Sequence, residues 1–147
     1  MTPTPSANTG EPRATTSPGA LSSVAGTLRA VALVSGIYDA IIGIAMLVGR
    51  DLLVALFSVP PPVPPIHAEL NGLFALAIAL GYTMPYHDPV HYRPYLWLMG
   101  PLLKGVGALL FLYDVFLRGS PASYLLFAAG DGTLALVTLW ALLRSDA

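Results

Sequence analysis

The chain has 147 residues, 55% of them hydrophobic and only 10% charged, with a mean hydropathy of +0.69 and a net charge of -1. A soluble domain carries about 25% charged residues, so this chain is too poor in charge to clothe a water-facing surface, and lipid is its expected solvent. The near-neutral balance removes any electrostatic case for a nucleic-acid partner, and the absence of cysteine excludes disulfides, thiolate metal sites and a cysteine nucleophile.

Residues 1–27 are rich in Pro, Ser and Thr and lack the basic segment and apolar core of a signal peptide. Too little apolar surface is present to offset ordering entropy, so they read as a disordered tail ahead of one domain, 28–147. Four apolar stretches follow, at 28–48, 66–84, 96–117 and 122–143. A transmembrane helix needs about 20 residues at roughly 1.5 Å rise each, and each stretch is long enough. None shows strand alternation, and only helices or closed barrels satisfy their backbone in lipid. The expected fold is therefore all-α, an integral membrane four-helix transmembrane bundle.

After the first stretch, Gly49, Arg50 and Asp51 set off DLLVALF (51–57), which reads as a short interfacial helix capped by Asp51. VPPPVPP (59–65) is then a stiff extended strap, because serial prolines stop a helix. Between the second and third stretches, PYHDPVHYRPY (85–95) carries His87, Asp88 and His91. Pro85, Pro89 and Pro94 argue against one regular helix there, so a metal site is not expected; a headgroup-level loop with Arg93 on lipid phosphate is. Arg13, Arg29, Arg93 and Arg144 lie on one side of the spans and Arg50 and Arg118 on the other, which predicts cytoplasmic termini. Tyr82, Tyr86, Tyr92, Tyr95, Trp97 and Trp140 would form the inner aromatic belt, with Tyr113, Phe116 and Tyr124 near the outer one.

Every stretch holds a strongly polar residue: Tyr38 and Asp39; His67, Glu69 and Asn71; Lys104 and Asp114; Asp131. Helical rise puts Asp39 and Asp131 near the midplane and Lys104 about 4 Å to the inner side. Glu69 and Asp114 fall roughly 10 Å to the outer side. A charge at the bilayer centre costs on the order of 3 kcal/mol, so Lys104 is expected to pair with Asp39, Asp131 or both. Two acids then share one base, and the group either keeps a negative charge or holds one carboxyl protonated. Helical spacing agrees: Lys104, Gly107, Phe111 and Asp114 share a face, as do Tyr124, Ala128, Asp131, Ala135 and Thr138, and Gly36, Asp39 and Gly43. These charges are either interhelical glue or a site for a proton, cation or polar ligand. The outer residues Glu69, Asp114 and His67 lack an obvious base, though Arg118 is within reach. NGLFALAIAL (71–80) also resembles DGTLALVTLW (131–140), a hint of a repeat that would put Asn71 beside the central charges.

The YD pair of the first stretch (38–39), the ELNG start of the second (69–72) and the DP…YR loop (88–93) carry a plan-level resemblance to small four-helix bacterial membrane proteins of the DoxX-like kind. A second resemblance, to the EXPERA fold, rests on the placement of Asp39 and Glu69 and implies acids working inside a helical bundle. The DoxX-like resemblance implies a multi-pass protein of a bacterial-type inner membrane. No phosphate-binding loop, serine-nucleophile motif or Walker lysine is present, so no cofactor is expected. The expected function is a non-enzymatic accessory or small-ligand-binding bundle. A proton- or ion-linked transporter subunit and a membrane enzyme acting through Asp39 or Glu69 are the alternatives. The lipid bilayer is its expected partner, with a second copy or another membrane protein needed to enclose a transport path.

Overall fold

The computed structural model describes the backbone of residues 18–145 and the side chains of residues 24–145. The described residues are all helical apart from turns and the proline strap. Helix α1 (Pro18–Val48) starts earlier than the expected span at Leu28, so residues 18–27 are helical rather than tail. Proline is favoured in a first helical turn, where its missing N–H is not needed. The rest of the expected disordered tail, residues 1–17, lies outside the described residues.

Gly49 separates α1 from helix α2 (Arg50–Phe57). The expected cap is corrected: Gly49 holds the N-cap position with no side-chain bond, and Asp51 sits in the first turn, where a carboxylate favours the helix dipole. Residues 59–62 are non-helical, as serial prolines require, and Pro65 caps helix α3 (Ile66–Gly81). Tyr82 joins α3 to the short helix α4 (Thr83–His87) with near-helical angles (φ -65°, ψ -14°). The loop expected over 85–95 is shorter than its prolines suggested. Pro85 and Pro94 lie early in α4 and in helix α5 (Arg93–Trp97), positions where proline removes no needed donor.

From α5 the chain passes through a π-helical turn (Leu98–Lys104) into helix α6 (Gly105–Arg118). Pro101 sits inside that turn. It has no N–H to offer and crowds the carbonyl of the preceding turn, and local widening relieves both problems. A 3-10 turn (Ala122–Tyr124) leads into helix α7 (Leu125–Arg144).

Helix α1 packs on α3 and α7, and the π turn and α6 pack on α7. What is buried is mostly small or polar: Ala32, Ser35, Ala68, Ala108, Ala128, Ala135 and Thr138. Leu28, Leu96 and Leu142 are buried in one cluster, but many large apolar residues point outward: Leu33, Ile37, Ile41, Phe74, Leu109 and Leu136 are each 47% or more exposed. Small residues inside and bulky apolar ones outside is the arrangement expected when the surroundings are hydrocarbon. Three helical stretches are long and apolar enough to cross a membrane, Val24–Val48, Arg93–Arg118 and Ala122–Arg144. The second apolar stretch yields only 16 residues of α3 before Tyr82 tightens the turn into α4, about 24 Å at the usual rise.

Candidate functional site: a buried acid–lysine–acid group

The site forms where α1, α7 and the π turn meet. Lys104 ends the π turn, with its side chain 5% exposed. Its ammonium donates to Asp39 Oδ1 of α1 at 2.5 Å and to Asp131 Oδ1 of α7 at 3.4 Å. The two carboxylate side chains are 11% and 17% exposed. Lys104 Nζ also stands 4.7 Å from the centroid of the Tyr38 ring, a cation–π distance. The Tyr38 hydroxyl lies against the Asp131 carboxylate and fits over Gly130, where an added Cβ would come within 3.0 Å of it.

Glycines let these helices close in. At the crossing of α1 and α3, a Cβ on Gly43 would fall 2.8 Å from Gly72 O, and one on Gly72 would fall 2.8 Å from Gly43 O. Gly100, in the π turn, lies so close to α7 that a Cβ would meet Thr138 Cγ2 at 2.5 Å. Gly107 faces Asp131. The polar stripe expected on each helix is therefore also its packing stripe.

A second polar layer lies one helical turn from Asp39. Ser35 is fully buried on α1, and Tyr82, at the α3–α4 junction, is 2% exposed. Their hydroxyls face each other closely enough to interact electrostatically but do not reach hydrogen-bond geometry. Ser35 Oγ, Tyr82 OH and Asp39 Oδ2 are all buried without a hydrogen-bond partner. Sequence reasoning missed Ser35 entirely and put Tyr82 in the interfacial belt. The aromatic beside it, Tyr95, packs edge-on at 5.3 Å and donates to Ile78 O.

The other predicted polar residues do not join this centre. Asn71 and His67 are exposed on α3, and Asn71 is not the structural counterpart of Asp131. Asp114 is satisfied locally, accepting from Ser120 Oγ at 2.5 Å and Arg118 Nη1 at 3.3 Å. Glu69 is half-exposed, 4.0 Å from Arg50, and lines a polar cleft of about 290 Å³ with Arg50 and Asp51. Glu69 and Asp114 thus sit in two separate ion pairs rather than in one acidic mouth. Beside them, Phe57, Phe111, Tyr124 and Phe127 stack into a cluster, and Ser123 Oγ donates to Phe57 O, which ties α2 to α6 and α7. In the 85–95 loop, Asp88 Oδ1 accepts from the His91 backbone N–H, and His87 and His91 each pack edge-on against a tyrosine.

A larger cleft, about 500 Å³, opens between α1 and α3–α4. Its walls are almost wholly apolar, and neither Asp39 nor Glu69 lines it. Comparison with family models, with curated proteins and with solved structures found no match, so the functional reading rests on this geometry.

Proposed function

We propose that the chain is a four-span, non-enzymatic integral membrane protein whose Asp39–Lys104–Asp131 group binds a small monovalent cation, the proton included. The observation that carries this reading is Asp39 Oδ2, buried in the ion group without a hydrogen-bond partner, with the Ser35 and Tyr82 hydroxyls facing each other one helical turn away. A group serving only to hold helices together gains nothing from a buried carboxylate oxygen without a partner, which costs about 1–3 kcal/mol. Oxygen-only ligands suit hard cations. Two carboxylates against one ammonium leave the group with a formal charge that favours a cation. The π-helical turn that carries Lys104 adds support, since such turns concentrate at functional sites.

The fourth span is α3 with α4, whose helical path runs on through Tyr82. The plan-level likeness to DoxX-like proteins supports that count, and the arginine bias supports cytoplasmic termini. An apolar cleft lined by no acid argues against an enzyme that would use Asp39 or Glu69 on a lipid-soluble substrate.

The test is thermal unfolding of the purified chain in detergent as Na+, K+ or pH is varied, with choline as the control ion. A cation at a hundredfold its Kd stabilises the fold by about 2.7 kcal/mol, an increase of several degrees in Tm. Asp39→Asn is expected to abolish the response. A wild-type Tm indifferent to every cation and to pH would overturn the proposal.

A further inference from the structure

The 500 Å³ cleft has a polar end and an apolar end. Along α1 its wall runs through Leu33, Gly36, Ile37 and Ala40, which helical spacing puts on one face, with Arg29 one turn before them on the same face. Along α3–α4 it runs through Leu76, Ala79 and Leu80 to Thr83, Tyr86 and His87. The hydroxyls and the imidazole therefore collect at one end. Arg29 stands at that end as well: it is exposed, and its Nη2 donates to His87 O at 3.5 Å. The carboxylate of nearby Asp88 is turned to the His91 N–H. From Ala32 to Ala40 the cleft covers about 12 Å of helix, against a leaflet hydrocarbon depth of roughly 15 Å, half the bilayer core.

We propose that this cleft is a binding site for one anionic phospholipid, with an acyl chain along Gly36 and Ala40 and the phosphate at Arg29 and His87. Three features select this occupant. The cleft runs most of the depth of one leaflet, its apolar part faces outward among the exposed large side chains, and Arg29, bonded to the carbonyl of the lining residue His87, stands just beyond its headgroup end. A basic side chain near a membrane surface favours an anionic headgroup by about fivefold. The assignment does not depend on what the ion group binds, but it rests on the chain being embedded in a membrane.

Native mass spectrometry of the full chain in detergent, with phosphatidylglycerol and phosphatidylcholine added in equal amounts, tests it. The wild type is expected to retain phosphatidylglycerol at least about fivefold better. Arg29→Gln should bring the two lipids close to parity while both still bind. Ala40→Leu, which fills the apolar end, should reduce retention of both, with Leu33→Phe as the filling variant if Ala40→Leu does not fold. Equal retention by the wild type, or an unchanged preference in Arg29→Gln, overturns the proposal. So does a wild-type dimer that Ala40→Leu converts to monomer, because the occupant is then a second copy. Carbonate extraction of the source membranes separates the two levels of failure. A chain released with the soluble fraction overturns the membrane reading too; a chain that stays in the membrane but holds both lipids alike overturns only the cleft assignment.

Discussion

Lys104 is the residue on which the centre depends. Replacing it with Met leaves two carboxylates buried against each other, and breaking a buried pair from one side costs about 3–5 kcal/mol. Lys104→Met is therefore expected to lower Tm sharply. The triple variant Lys104→Met, Asp39→Leu, Asp131→Leu should recover most of that loss, because an apolar trio needs no pairing. Recovery of the fold with loss of any cation response separates binding from mere adhesion; a triple variant no more stable than the single one would show that the charges are not compensating one another. Tyr82→Phe gives a complementary result. It removes a buried hydroxyl whose one polar neighbour is Ser35, short of good hydrogen-bond geometry, so without added cation it should change stability by no more than about 1 kcal/mol. With cation present Tyr82→Phe should be less stabilised than the wild type, as read by the shift in Tm on adding the cation. At this scale the sequence was informative about ions and silent about hydroxyls. Asp39 inside an apolar run has no local reason to exist, so its need for Lys104 can be argued from depth and cost. Ser35 and Tyr82 are ordinary residues for an apolar helix, and their hydroxyls meet in the interior only when α1 packs on the α3–α4 junction.

At the scale of elements, glycine contacts and the π turn set the distances. Gly100→Ala is expected to destabilise by about 1–3 kcal/mol, the usual cost of overpacking, because the new methyl would collide with Thr138. Thr138→Ser removes the nearest of those atoms while keeping a hydroxyl for Leu134 O, so the double variant should recover part of the loss. Equal Tm values for wild type and Gly100→Ala would mean the two helices are not that close. The small-residue stripes were readable as packing faces from their spacing alone. The π turn was not, because Pro101 in a helical run signals a defect but not its form: a kink, a break or a widened turn answers the same lost hydrogen bond. The second apolar stretch shows the opposite limit. Its hydropathy runs to Met84, yet Tyr82 turns inward toward Ser35, and the regular helix stops at Gly81.

For the whole molecule, the lack of cysteine makes topology directly measurable. Single substitutions Ser58→Cys, Asp88→Cys, Ser120→Cys and Ser145→Cys can each be labelled from one side of intact membrane vesicles. Four spans with cytoplasmic termini require Asp88→Cys and Ser145→Cys to react from the cytoplasmic side and Ser58→Cys and Ser120→Cys from the other. If α3–α4 does not cross, Ser58→Cys and Asp88→Cys react from the same side, and the fourth span is lost. The sequence by itself determined the helical class, the apolar stretches long enough to cross a membrane and the identity of the three central ions, because composition and buried-charge cost act before any packing is known. Only the tertiary structure decided which polar residues share a site. Glu69 and Asp114 were at one depth on paper, but depth is a single coordinate. Glu69 faces Arg50 of α2 and Asp114 pairs with Arg118 one turn along α6, while packing of the α3–α4 junction on α1 brought Tyr82 to Ser35, one turn before Asp39.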